Sequence, residues 1–286
     1  MRARAPASAA NLGPGFDVLA LALDLYVEVE VNPAPRLTVS SYGEGAEYSG
    51  DANHLAAMVA MEVAGHDHLS VSVHSSIPVA RGLGSSAALA VAAAAAAGSP
   101  DPLAAGVAVD GHPENAAASF YGGLVAATVM RGKVRVVRFP LDEDLAFVAL
   151  IPSRSLSTKK ARTVLPEMVH RSDATFNLGR MAMLLAGLGD RSMLDREACA
   201  DRLHQDYRSP LFPQAPGLMS AMLEAGALAA CWSGAGPTLL AICDSRSAAN
   251  VLDGARSSLY QAGMQGHVVR LKPDMHGLQV GEDIED

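Results

Sequence analysis

Residues 82–86, Gly-Leu-Gly-Ser-Ser, run straight into a tract at 87–97 that is almost pure alanine, and no other stretch limits the fold as much. Alanine is the strongest helix former, so a helix is expected to begin here. Two glycines one residue apart let the backbone turn tightly and approach a ligand with no side chain in the way. Ser85 and Ser86 each carry a hydroxyl that can serve a phosphate or a metal. A Gly-Ser turn opening into a helix aims unpaired N–H groups, and the positive end of the helix dipole, at one spot. Such a spot suits an anion, and phosphate is the usual one. A glycine-rich helix start without any ligand is the plainer alternative.

Two common phosphate motifs do not apply. A Walker A loop ends in Gly-Lys-Ser or Gly-Lys-Thr, and no lysine lies near this turn. Gly82, Gly84 and Ala87 match the dinucleotide fingerprint, with Asp101 at the distance of its ribose acid. That acid should end a second strand, whereas Asp101 lies in Gly-Ser-Pro-Asp-Pro behind a helix. The chain has 286 residues, 50% of them hydrophobic, enough for one large domain or two ordinary ones. Its apolar runs stay below the roughly 18 residues of a membrane span. No basic stretch followed by an apolar one opens the chain, so no signal peptide is expected. Cys199, Cys231 and Cys243 are odd in number and lack metal-type spacing, so a reducing cytoplasm is the expected location. The net charge of −8 argues against nucleic acid as a partner, while local arginines can still hold an anionic substrate.

Residues 26–31 and 69–73 alternate with period two and read as half-buried strands. Residues 51–65 read as a helix with Asp51 as cap and Gly65 as stop. Residues 122–129 and 134–139 read as a hairpin turning at Arg131-Gly132. The second half carries expected strands at 145–151, 229–233, 238–243 and 267–271, separated by helices near 174–188, 193–205, 216–225 and 247–262. Strands with helices between them point to an α+β class, and a charged turn at 142–144 marks the expected division.

Further motifs stand in order along the chain: Ser8-Ala9-Ala10-Asn11-Leu12-Gly13-Pro14-Gly15-Phe16-Asp17, Asp110-Gly111-His112-Pro113-Glu114-Asn115 and Ser233-Gly234-Ala235-Gly236-Pro237. With the turn at 78–88 they make the chain resemble the GHMP small-molecule kinases, and within these the homoserine-kinase branch. Ser157-Thr158-Lys159-Lys160-Ala161-Arg162, then Leu203-His204-Gln205 with Arg208, fall where that branch has its substrate segments. The resemblance runs from residue 3 to about 240. The chain departs from the pattern in a second alanine between Ser8 and Asn11, in Asp110 where relatives carry glutamate, and in Glu114 where the branch carries aspartate. The resemblance implies a two-domain α+β fold. Residues 1–143 would form a ribosomal-protein-S5-like, ATP-binding domain and residues 144–286 a ferredoxin-like one.

The resemblance also implies ATP-dependent phosphorylation of the side-chain hydroxyl of homoserine, within threonine biosynthesis and in the cytoplasm. Its small-molecule partners would be homoserine and ATP with Mg2+, with no nucleic acid and no membrane; a homodimer stays open. ATP would lie on Pro78, Val79, Ala80, Arg81, Gly82, Leu83, Gly84, Ser85, Ser86, Ala87 and Ala88. Asn53 would stand on the adenine side, with a helix-capping role as the equal alternative. Ser86 and Asp110 would hold magnesium, with Glu114 as the next candidate. Homoserine is a zwitterion, so Asp17 would meet its ammonium, and the planar forks of Arg162 and Arg208 its carboxylate. Asn11, Thr158 and Gly234 complete the substrate site. Asn115, His112 and Ser86 would carry catalysis, the first two approaching the accepting hydroxyl. No strong protein base is expected, because an amide takes no proton at neutral pH and phosphoryl transfer asks mainly for alignment and charge stabilisation.

Taken singly, Arg162 also reads as a helix-surface arginine, Arg208 as a brace for the turn at 210–213, and Asp110 as a solvated loop acid. Two other functions remain: a GHMP kinase for a mevalonate-type alcohol, and a non-catalytic protein of the same fold. Asp17 favours an ammonium over a hydroxy acid, and the intact Gly84, Ser85 and Ser86 favour catalysis.

Overall fold

Alternating side chains in the first two strands organise the N-terminal half. The computed structural model describes residues 1–48 and 50–281. The elements of this half are β1 (Arg2–Ala10), β2 (Leu19–Pro33), β3 (Thr38–Gly43), α1 (Leu55–Ala64), β4 (Leu69–Ser75), α2 (Ser85–Ala96), α3 (Pro102–Asp110), α4 (Pro113–Tyr121), β5 (Leu124–Met130) and β6 (Lys133–Phe139). On one face Ala3, Ala5, Ala7 and Ala9 of β1 meet Leu19, Leu21, Leu23, Val27, Val29 and Val31 of β2 in a single core. On the other face Ala10, Ala20 and Ala22 pack with Ala117 and Ala118 of α4. The long β2 pairs with β1 along its length, with β5 near its start and with β4 near its end. Only β3 and β4 run parallel among these pairs.

The alanine tract becomes α2, and its burial explains its composition. It packs against α1, α3, α4, β1 and β2, and Ala87, Ala88 and every residue from Ala90 to Ala96 are buried. A helix surrounded on all sides is apolar all round, and methyl-sized side chains let its neighbours come close. The hairpin of β5 and β6 turns where expected, with Arg131 (φ 53°) and Gly132 (φ 72°) both left-handed, as a two-residue type I′ turn requires.

The second half contains β7 (Leu145–Pro152), α5 (Thr158–Thr163), α6 (Arg171–Gly189), α7 (Gln205–Arg208), α8 (Ala215–Glu224), β8 (Ala229–Trp232), β9 (Leu239–Asp244), α9 (Ala248–Gln261), β10 (Gly266–Leu271) and the short β11 (Gln279–Val280). Four of these strands form an antiparallel sheet in the order β10-β7-β9-β8. That order, with helices crossing between β7 and β8 and between β9 and β10, is the ferredoxin-like arrangement. All eight residues of β7 are buried. Its Ala146, Val148 and Leu150 face the core shared with α8 and α9. Phe147, Ala149 and Ile151 join the N-terminal core, with Leu184 and Leu188 of α6. We propose the domain boundary at residues 143–144, between β6 and β7. The tail after β10 then returns to the first sheet, where Pro273 bridges Leu23 and β11 pairs with β1.

Two expected helices are corrected. The helix drawn from Asp51 begins only at Leu55, where His54 is the cap and its Nδ1 accepts from the Ala56 N–H. Asp51 is occupied instead by the N–H of Asn53, two residues on, so Asn53 precedes the helix. Gly65 ends it as expected, at φ 73°. No continuous helix spans 193–205. There Asp195 accepts from the N–H of Glu197, and Asp201 from those of Leu203, His204 and Gln205. Such local side-chain bonds offer the backbone an alternative to the helical ladder.

Candidate active site

The turn between β4 and α2 is built on alternating left-handed residues: Ala80 (φ 55°), Gly82 (φ 79°) and Gly84 (φ 65°). The glycines are needed for reasons the sequence did not show. A Cβ on Gly82 would lie 2.3 Å from the carbonyl oxygen of Ser233, and one on Gly84 2.0 Å from Ser8 Oγ. Close approach here is therefore between protein segments as well as toward a ligand. The turn is bolted to its neighbours: the Ser233 hydroxyl donates to Gly82 O (2.7 Å), the Thr238 N–H to Arg81 O (3.1 Å) and the Ser8 N–H to Leu83 O (3.1 Å). At the start of α2 the capping residue Gly84 offers no side chain. The first N–H groups of the helix are left for a ligand, and the dipole favours a negative one.

Val79, Ala80, Gly82, Leu83, Gly84, Ser85 and Ser86 line a cavity of about 610 Å³ between the two halves. A second cavity of about 320 Å³ shares Val79, Ser85 and Ser86 and continues to Asn53, His54 and Tyr48. The remaining residues expected to hold nucleotide do not line either cavity. Pro78, Ala87 and Ala88 are buried. The Arg81 guanidinium donates to the carbonyls of Val79, Pro152 and Ser153, so it ties the turn to the end of β7.

The larger cavity is also lined by Asn11, Asp17, Asp110, His112, Glu114, Asn115, Thr158, Arg162, Arg208 and Gly234, which gathers every expected substrate residue. Asn11 (φ 72°), Leu12 (φ 48°) and Asp17 (φ 55°) are left-handed. The turn they shape is held when the Asp17 N–H donates to Asn11 Oδ1 (3.0 Å) and Asn11 Nδ2 donates to Gly234 O (2.9 Å). Arg162 grips Asp17 with both arms of its fork, at 2.8 and 3.1 Å. Its Nη2 also lies 3.1 Å from His112 Nδ1, which is itself 3.1 Å from Asp110 O. That ring nitrogen accepts from Arg162 in one tautomer and donates to the Asp110 carbonyl in the other.

Arg208 is 1% exposed and largely committed to the scaffold. Its Nε donates to Ala161 O, and its Nη1 to Gly234 O and to His204 Nδ1. Burial, with Arg162 nearby, lowers its pKa to about 10, which leaves it charged at neutral pH. His204 was read only as part of a substrate segment. It is fully buried, its Nε2 lies 2.8 Å from Gly13 O, and burial holds its pKa well below the usual imidazole range. Neutral His204 thus donates to the Asn11–Asp17 turn and accepts from Arg208, joining the two. Gln205 is structural too, with its amide placed between Trp232 N and Cys199 O.

Three further polar residues, Asn115, Asp110 and Glu114, line the cavity. Asn115 accepts from the Ser8 hydroxyl (2.8 Å). Burial pushes Asp110 up to about 6 against the opposing pull of His112, Arg162 and Asn115. Glu114 is 2% exposed, and its Oε2 is buried with no hydrogen-bond partner among the described residues. Burial, joined by the charges of Asp17 and Asp110, pushes it up to about 7. Ser8 belonged to a quoted motif but had no assigned part; its partner Asn115 is 107 residues away, so no local pattern revealed the pair. Lys159, also unassigned, lines the same cavity.

Sequence models of the GHMP kinase N-terminal and C-terminal domains match residues 52–123 and 182–261. The chain belongs to the GHMP kinases. This GHMP kinase is 39% identical to the homoserine kinase of Moorella thermoacetica, over 97% of its own length and 98% of that protein. It is 40% identical to a homoserine kinase of Thermus thermophilus, over 86% and 88% of the two chains. Its fold superposes on the crystal structure of homoserine kinase from Cytophaga hutchinsonii with a TM-score of 0.85, at 26% identity and covering 98% and 96% of the two chains. L. major mevalonate kinase shares the fold alone, with a TM-score of 0.70 at 16% identity over 94% and 95% of the chains.

Proposed function

We propose that this GHMP kinase transfers the γ-phosphoryl group of ATP to the side-chain hydroxyl of L-homoserine, giving O-phospho-L-homoserine, as a cytoplasmic step of threonine biosynthesis. One observation carries the reading: a single cavity is lined both by an uncapped helix N-terminus and by the paired, opposite charges of Asp17 and Arg162. The first suits a phosphate chain and the second a zwitterion. The similarity to homoserine kinases over nearly the whole chain supports the same substrate.

In this proposal the N–H groups at the start of α2 and the Ser85 and Ser86 hydroxyls hold the triphosphate, with the base toward Asn53 and Tyr48. Ser86 and Asp110 supply oxygen donors, the ligand type that suits magnesium, and both line the cavity. The described residues hold no cluster of three or more His, Cys, Asp or Glu arranged for a metal. A cation that keeps its waters and bonds chiefly to phosphate fits that donor set. Magnesium, when bound, supplies neutralisation of phosphate charge. Glu114, buried with an unpaired oxygen, remains the second carboxylate for it.

Asp17 holds the substrate ammonium, Arg162 its carboxylate, and Arg208 steadies Gly234 while lending charge. Asn115 spends one lone pair on Ser8, so its other lone pair and its amide N–H groups are left to orient the hydroxyl. Its amide takes no proton; alignment and charge stabilisation supply the acceleration. The test is ADP release from ATP and magnesium with homoserine, serine or mevalonate as acceptor. Homoserine should give the highest kcat/KM by at least about tenfold, the scale of one well-placed charge contact. Preference for mevalonate would overturn the substrate but keep the kinase, and no turnover with any acceptor would favour a binding protein.

A further inference from the structure

The outer face of the first sheet carries a groove of about 630 Å³, lined by Arg2, Arg4, Glu28, Glu30, Ser72 and His74 among others, with none of the groups assigned to catalysis in it. Strand register places these residues in rows. Gln279 of β11, Arg4 of β1, Glu28 of β2, His74 of β4 and Tyr42 of β3 stand directly opposite one another across five strands. Directly paired residues share a face, so this is one polar ladder.

Arg4 is the unusual member. It is 8% exposed, and its guanidinium lies 4.3 Å from the centre of the Tyr26 ring. Among the described residues no hydrogen bond or ion pair reaches that guanidinium. Each nearby carboxylate is committed elsewhere. Glu28 is bonded to Arg2. Asp274 accepts from the Tyr26 hydroxyl and from the N–H groups of His276 and Gly277. Beside Arg4 in register, Gln279 Oε1 is buried and also lacks a hydrogen-bond partner. A buried cation with unused donors is costly to hold, and so is a buried acceptor without a donor. Arg4 lines the groove, and its nitrogens are not among the buried unpartnered atoms, so its free N–H groups open to the groove.

We propose that this groove is a binding site for a small zwitterion, whose carboxylate sits on the Arg4 fork and whose ammonium lies toward Glu28 and Glu30. A guanidinium seated over an aromatic ring keeps its N–H groups for two-point contact with a carboxylate. The flanking glutamates oppose a doubly charged anion such as phosphate and favour a ligand that brings its own positive charge. The site is separate from the kinase cavity and does not depend on the homoserine reading.

Amide NMR of the whole protein, with ADP and magnesium saturating throughout, tests it with three probes: β-alanine, acetate and inorganic phosphate. β-Alanine should shift the Ser72 and His74 amides saturably, acetate more weakly, and phosphate least. Arg4→Gln should weaken the β-alanine response by about tenfold, the scale of one lost charge-assisted contact. Arg4→Lys, which keeps the charge that packs on Tyr26, should fall between, so a folding failure in the first variant leaves a readable result. Glu30→Gln, on the exposed surface, should weaken β-alanine and spare acetate. Absence of a saturable shift with every probe, or an unchanged response in both Arg4 variants, overturns the site. Tightest binding of phosphate overturns its zwitterionic character.

Discussion

The two ends of the active-site cavity are held by different physics. The phosphate end is backbone: three left-handed residues, an uncapped helix start, and a turn bolted by main-chain and serine hydrogen bonds. The proposed substrate end is side chain, with Arg162 bonded to Asp17 and beside His112, and Arg208 bonded to His204, the residues coming from four separate segments. A backbone site tolerates little, because its donors cannot be moved. A charge network can redistribute, since Arg162 and Arg208 both stand near the same carboxylate. Substitutions at the phosphate end should therefore abolish turnover, and those at the substrate end should change what is turned over.

The largest effect is expected at Ser86. Ser86→Ala should leave the fold intact, since alanine suits the first turn of α2, and lower kcat by about 10²–10³, the scale of a lost electrostatic contact in a transition state. A folded variant with nearly normal turnover would remove Ser86 from the magnesium and phosphate site. Asp17→Asn comes next, at about 1.5–3 kcal/mol in kcat/KM for homoserine, the range for hydrogen bonds to charged groups. It should also narrow the preference for homoserine over 4-hydroxybutyrate, which lacks the amino group. Equal loss on both substrates would make Asp17 a scaffold residue. Arg162→Lys should cost about tenfold in homoserine kcat/KM while leaving the KM for ATP unchanged, because the charge stays and the two-armed grip on Asp17 is lost. A rise in the KM for ATP would show that the two ends are not separate.

The smallest effect is thermodynamic. Burial raises Glu114 from 4.5 to about 7 in the folded protein. Between those values the native state binds more protons at this site than the unfolded chain does. Its contribution to stability is therefore present at low pH and lost as pH rises through about 7. Glu114→Gln removes this dependence. The melting temperature of the variant relative to the natural protein should rise between pH 5 and pH 8, at about 2–4 °C for each kcal/mol in a chain this size. A pH-independent difference would mean that Glu114 is ionised throughout and paired with a group on the cavity wall.

Legibility in the sequence divided along the same line. The turn at 82–86, the alanine helix, the Arg131-Gly132 hairpin and the four strands of the second sheet are each signalled by a local run of residues, and the structure reproduces them. The helix expected at 193–205 failed because aspartate side chains compete for the backbone there, which periodicity does not register. Arg208 was legible as a cation in the right place. Its burial was not, nor was its bond to His204, because Ala161 and Gly234 reach it from other segments.

The sequence determined a kinase fold through its resemblance to a known family, and a glycine turn opening into a helix through residues that are neighbours in sequence. Which side chains face one another was decided only by packing. Ser8 meets Asn115 across 107 residues and Arg162 meets Asp17 across 145. Glu114 and Asp110 acquire raised pKa values from the burial that this packing imposes. Burial and long-range pairing are properties of the assembled core, and no local run of residues contains them.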